Sequence, residues 1–248
     1  MTSGSVPLLT YHSIDDSGSP ISIAPRRFRA HMAALHAAGW RSLGPREFLQ
    51  GHTDGAWPVR SFVLTFDDGF ENFATDAAPT LMEYGFNTLL FVVAGHVGGT
   101  NDWPGQPSWA PRRRLADWST LRALLPAGVM LGSHSWSHRN MKTLPPEAIE
   151  SELRRSKQTI EDRTGAAVHW FAYPYGATSA ALEAAAARHF TAAVGTGLAF
   201  TTAANPLTAL DRVDVFYVRQ RWLLSGLDRP WIRPYLALRR TLRAARRL

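Results

Sequence analysis

The chain has 248 residues, 45% of them hydrophobic and 19% charged, which suits one α/β domain with a sizeable core. It contains no cysteine, which excludes disulfides and thiolate ligands and leaves any metal to His, Asp or Glu. The formal charge of +7 does not point to nucleic acid: seven of the 27 basic residues fall in 229–248 with no acidic residue among them, leaving 20 basic against 20 acidic elsewhere.

The opening "MTSGSVPLLTYHSIDD" shows no basic stretch followed by a long apolar run, and no run of about 18 apolar residues occurs in the sequence, so a cytoplasmic location is expected. In chain order, "VPLLTYHS" reads as a strand followed by a helix over 26–38. "SFVLTF" precedes a helix over 72–84, and "NTLLFVVAG" precedes one over 118–125. "VMLGSHS" leads to a helix over 146–163, "VHWFAYPYG" to one over 179–189, and "TAAVGT" reads as a further strand. Apolar runs of strand length alternating with segments of helical period predict a parallel sheet covered by helices. Six or seven such units predict an α/β fold, a distorted (β/α) barrel of about seven parallel strands in a single domain. In that architecture the chemistry sits on loops after the C-terminal strand ends.

Residues 95–115, "GHVGGTNDWPGQPSWAPRRRL", have no helical period. A loop of this length that carries tryptophans reads as a binding loop. The main domain is expected over 1–228 and a basic tail over 229–248. In the tail, Trp231, Tyr235, Leu238, Leu242 and Ala245 fall at helical spacing with arginines on the other faces. Such a helix either lies on an anionic membrane surface, at its inner face for a cytoplasmic protein, or packs on the barrel with a solvated basic edge.

Three strand ends carry groups with chemistry. "SFVLTFDDGF" runs apolar into Asp67 and Asp68, two like charges whose desolvation calls for a balancing group. "VMLGSHSWSH" places His134 and His138 four residues apart, a weak metal signal alone. Taken together on one rim, two histidines and one aspartate supply three ligands with an open fourth position. The other aspartate is then free to take a proton from a water that the metal activates. Spacing does not decide which aspartate does which. The third end, "WFAYPYG", supplies Pro174, Tyr175 and Gly176, a turn that can expose the Tyr175 N–H to an oxyanion.

"TFDDG", "HSWSH" and "YPYG", in this order, resemble the NodB homology domain of polysaccharide deacetylases, carbohydrate esterase family 4. "LLTYHSIDD" further resembles the poly-N-acetylglucosamine deacetylase subgroup. The resemblance implies a distorted barrel and a divalent metal, zinc first with cobalt or nickel as alternatives, held by Asp68, His134 and His138. It makes Asp67 the general base and gives the Tyr175 N–H to the oxyanion. The substrate it implies is an acetylated amino-sugar glycan, and the membrane reading of the tail adds a lipid-linked saccharide. Two departures stand out. The family arginine two residues before the proline is Ala172 here, and no histidine follows His189 to act as the C-terminal acid. His12, at the end of the first strand, is the candidate acid.

Trp136, inside the histidine motif, Trp103, Trp109 and Pro174 are the candidate substrate contacts. The other histidines, His31 and His36 on the first helix, His52 and His96 in loops, His169 on a strand and His189 at a helix end, receive no role. O-acetyl ester hydrolysis, N-deformylation and carbohydrate binding without catalysis are the competing readings.

Overall fold

The computed structural model describes residues 1–245; the last three residues of the expected tail, 246–248, lie outside the described residues. Seven parallel strands make one curled sheet: β1 (Leu8–Tyr11), β2 (Ser61–Phe66), β3 (Thr88–Val92), β4 (Val129–Ser133), β5 (Trp170–Ala172), β6 (Ala192–Val194) and β7 (Val213–Asp214). Their spatial order is β6-β5-β4-β3-β2-β1-β7, and Arg41–Ser42 adds a short parallel pairing to β2. This is the distorted (β/α) barrel that the alternating pattern predicts. The segment 207–214 bridges its two edges. Leu210 exchanges backbone bonds with Ala193 and Gly195 beside β6, and Val213 and Asp214 then pair with Leu9 and Thr10 of β1.

Because successive strand residues face opposite ways, each strand feeds two cores. Leu9, Phe62, Leu64, Phe66, Leu90, Val92 and Phe171 face the helices. Leu8, Val63, Leu89, Phe91, Trp170, Ala172 and Val194 fill the inside of the curl. Phe48 and Trp57 plug the interior at the strands' N-terminal end, where Phe48 meets Trp170 edge to face at 5.3 Å. Each such buried aromatic contributes roughly 1.5–3 kcal/mol. With that end filled, the open rim is at the strands' C-terminal ends.

The helices are α1 (Pro25–Ala37), α2 (Pro45–Asp54), α3 (Ala78–Tyr84), α4 (Trp118–Leu124), α5 (Pro146–Thr164), α6 (Ala180–Ala187), α7 (Arg221–Ser225) and α8 (Ile232–Ala245). Prolines open α1, α2 and α5 at the first helical position, where no N–H is needed. The helix expected over 72–84 begins as a wide π turn over Phe73–Ala77 before α3. α2 escapes a reading by periodicity because only Phe48 and Gly51 are buried on it. His52, expected in a loop, sits in its last turn and contacts the Asn205 carbonyl at 2.9 Å. His169, expected on a strand, is exposed just before β5. No helix among the described residues is long and apolar enough to cross a membrane.

Candidate active site

Asp68 follows β2 by two residues and His134 follows β4 directly, and these two strands, either side of β3 in the parallel sheet, bring them to one rim. Asp68 Oδ1 lies 3.5 Å from His134 Nε2 and 3.4 Å from His138 Nε2, and the two Nε2 atoms are 3.2 Å apart. A tetrahedral cation bonded at about 2.0–2.2 Å sets its ligand atoms roughly 3.3–3.6 Å apart, so the three atoms already stand at metal-ligand spacing. All three residues are buried. His134 Nδ1 is 2.8 Å from the Ala172 carbonyl, which fixes its proton there and leaves a lone pair on Nε2. Burial draws the His134 imidazole down to about 4, so it is neutral at pH 7. His138 Nδ1 is buried with no partner among the described residues. The donor set fits a divalent cation.

The backbone here is not relaxed. Among the described residues, Asp68, Ser135, His138 and Tyr175 account for four of the six non-glycine residues with positive φ, each costing on the order of 1–3 kcal/mol. At Asp68, φ of 72° turns the side chain off the strand alternation, so that adjacent aspartates serve different partners.

Asp67 keeps the alternation of Val63 and Thr65 and faces the inside of the curl. There it meets Arg212, a residue that the sequence reading did not single out. Arg212 Nη1 and Nη2 each donate to one Asp67 carboxylate oxygen at 2.7 Å. Nη1 also reaches Thr65 Oγ1 at 3.1 Å, and Nε donates to the Gly195 carbonyl at 2.8 Å. Arg212 is 1% exposed and donates four hydrogen bonds. Burial would raise the Asp67 carboxyl, but the Arg212 guanidinium, with His134 and His12, holds it below the usual carboxylate range. Asp67 therefore has an arginine partner although position 172 is alanine. The guanidinium comes from the segment that closes the barrel, and the small Ala172 side chain lies on the same inner face. The signal for it was thin: one arginine between apolar and acidic neighbours in "ALDRVDV".

His12 Nε2 lies 3.8 Å from Asp67 Oδ2, with about a fifth of its side chain exposed. It borders a cavity of about 380 Å³ whose floor is Asp67, Asp68, His134 and His138. Asp214 lines the same cavity; burial raises its carboxyl, opposed by nearby His12 and the Phe216 N–H. Tyr175 takes φ 59° and ψ 6° in a one-turn 3-10 segment over Pro174–Gly176, and its ring stands edge to face on His138 at 4.7 Å. As at the start of any helical turn, its N–H has no acceptor inside the turn. Gly176 is required next, since a Cβ there would stand 2.0 Å from Thr196 Oγ1.

The tryptophans separate. Trp109 lines the cavity and is 55% exposed, so its face is open to a ligand. Trp103 also lines it, but is buried and stacked on His138 with centroids 4.2 Å apart. Trp136, placed first among the substrate contacts by the sequence, is not among the cavity's lining residues. It is packed against Gly95 and covered by the Arg155 guanidinium at 3.6 Å, because the positive φ values around it turn the histidines inward and the indole away. Pro174 is buried and likewise outside the lining. His31 is structural: its Nδ1 accepts from Tyr11 Oη at 3.0 Å and its Nε2 contacts the Arg219 carbonyl at 2.8 Å.

Comparison with known proteins points the same way. YxkH of Bacillus subtilis (strain 168), which carries the polysaccharide deacetylase name, is 28% identical over 172 residues, 69% of this chain and 57% of that one. The poly-beta-1,6-N-acetyl-D-glucosamine N-deacetylase of Escherichia coli (strain K12) is 24% identical over 136 residues, 52% of this chain and 20% of that one. The chain thus spans little more than half of the first relative and a fifth of the second. The structure of the Streptococcus pyogenes deacetylase PplD in complex with acetate superposes with a TM-score of 0.74 at 22% identity, covering 85% of this chain and 92% of that one, and so shares the fold. Residues 54–193, more than half of the chain, match the family model described as polysaccharide deacetylase, and with that match the chain belongs to the polysaccharide deacetylase family.

Proposed function

We propose that the protein is a metal-dependent hydrolase that removes N-acetyl groups from an amino-sugar glycan. One observation carries this reading. A separate, ionised carboxylate, Asp67, stands beside a three-atom Asp-His-His donor set on the floor of a cavity that admits a sugar ring. Asp68, His134 and His138 would hold the cation, with zinc the first choice for two imidazoles and a carboxylate. When bound, it would polarise the acetyl carbonyl and lower the pKa of water.

Asp67 takes the proton from the attacking water. Arg212 occupies one lone pair on each carboxylate oxygen, and the remaining ones stay free to accept. The Tyr175 N–H donates to the oxygen that becomes negative as the carbonyl carbon turns tetrahedral. His12 protonates the nitrogen as the C–N bond breaks, giving the amine and acetic acid, which pass a proton between them to leave as ammonium and acetate, and the proton taken by Asp67 returns to His12. Asp214 lines the cavity on the same side as His12. Trp109 offers its face to a sugar ring.

Family membership supports deacetylation, and the name of the Escherichia coli relative supports an N-acetylglucosamine polymer. Arg212 weakens the reading as a non-catalytic carbohydrate binder, because the arginine missing from position 172 is no longer a mark of decay. The test is acyl-group profiling by chelator-stripped protein reloaded with zinc, cobalt or nickel. N-acetylglucosamine oligomers should release acetate only after reloading. Cleavage confined to O-acetyl esters or N-formyl groups would reassign the bond, and no hydrolysis with metal bound would favour a binding protein.

A further inference from the structure

We propose that the outer face of α7 and α8 seats the protein on an anionic lipid surface, an inference independent of the reaction assigned above. α8 carries two apolar stripes where the sequence suggested one. Ile232 and Leu236 are buried in the helix-facing core, and Tyr235 turns inward to donate from its hydroxyl to the Tyr217 carbonyl at 2.7 Å. Trp231, Leu238 and Leu242, at i, i+7 and i+11, form the second stripe and remain 42%, 59% and 47% exposed. Trp222 of α7, 64% exposed, joins them with its ring 5.6 Å from that of Trp231. Single exposed apolar side chains are ordinary, but four gathered on one surface mark a contact face.

The charge around this face selects the partner. Arg221 and Arg229 are exposed beside it, while Arg233 and Arg240 turn to the barrel side, Arg233 over Phe200 and Arg240 toward Asp211. Residues 229–245 hold no carboxylate, and Asp228 is engaged by Arg60 at 2.9 Å. Asp211 faces Arg240 and Arg243 from the barrel side only. Tryptophan rings suit the headgroup level, leucines the acyl boundary beneath it, and guanidinium groups the lipid phosphates. A second copy docking symmetrically would set these arginines against their own equivalents. A nucleic acid would engage the arginines and leave Leu238 and Leu242 in water.

The inner face of the same helix backs the catalytic cavity: Arg239 covers Tyr217, Arg243 donates to the Thr196 carbonyl, and both Tyr217 and Thr196 line the cavity. A protein seated this way holds its cleft about one helix diameter, roughly 10 Å, from the lipid.

Flotation of the full chain tests this, with vesicles of phosphatidylcholine alone and of phosphatidylcholine and phosphatidylglycerol in equal parts. Wild type should float with the anionic vesicles only. Leu238→Glu with Leu242→Glu should lower the bound fraction by about tenfold or more, as should Arg221→Glu with Arg229→Glu. All these positions are exposed, so melting temperatures should match wild type. Trp222→Gln with Trp231→Gln is the milder pair should the glutamates disturb folding. Wild type that stays unbound, or variants that float as well as wild type, overturns the proposal. So does a concentration-dependent dimer that the glutamates abolish, which assigns the face to a second copy.

Discussion

At the scale of the residue, the site depends on a buried ion pair whose two halves are 145 positions apart. Arg212→Met should leave Asp67 buried without its countercharge, costing about 3–5 kcal/mol of stability. It should also lower kcat by roughly 100-fold, because the base loses its orientation. Urea melts and steady-state kinetics read the two effects separately, and Arg212→Lys should recover stability better than kcat, since an ammonium cannot reproduce the two-point contact. His12→Ala should cut turnover by about 100-fold while metal content stays at the wild-type level; turnover within a few-fold of wild type would end its role as acid. His31 supplies a pH prediction away from the metal. Burial pulls its imidazole down to about 4, so the unfolded chain binds the proton more readily. Stability is then full above the unfolded value near 6.5 and falls as pH drops from about 6.5 through 4, on the order of 2–3 kcal/mol in all. Urea midpoints should decline over that window in wild type and less in His31→Gln. Asp67, Asp68, His134 and His138 were legible as residues because each lies within five positions of a readable strand end. Arg212 was not, because its partner lies across the barrel and one buried arginine looks like any other in a sequence.

At the scale of the element, the long loop over 95–115 does two jobs that its composition could not separate. Trp103 stacks on a candidate metal ligand, whereas Trp109 faces the cavity with its surface free. Trp103→Ala should therefore weaken zinc binding by about 10–100-fold in a chelator competition, through a looser His138. Trp109→Ala should leave metal affinity alone and raise KM on glycan oligomers with little change in kcat. Equal effects of both on metal affinity would contradict this division. The helices were readable where one face carried buried residues at helical spacing, as in α1 and α5. α2, with two buried positions, was not. Trp136 was misplaced for a related reason: backbone with positive φ on both sides of it breaks the facing rule that sequence spacing relies on.

At the scale of the whole molecule, the alternation of strands and helices made the barrel legible, since apolar runs of strand length separated by helical period allow few other arrangements. How the barrel closes was not legible, because segment 207–214 pairs with two different strands through a handful of backbone bonds and carries little strand pattern of its own. That closure is also what carries Arg212 to Asp67, so fold and site meet in the least readable stretch of the chain. The central claim is that Asp67 acts as base beside a metal held by Asp68, His134 and His138. The most direct measurement is acetate release from N-acetylglucosamine oligomers by zinc-loaded wild type and Asp67→Asn, with bound metal determined on the same samples. Release by wild type, its loss by at least about 100-fold in Asp67→Asn, and equal metal in both is the predicted result. Comparable release by both proteins, or loss of metal together with activity in Asp67→Asn, would contradict the separation of base from ligand.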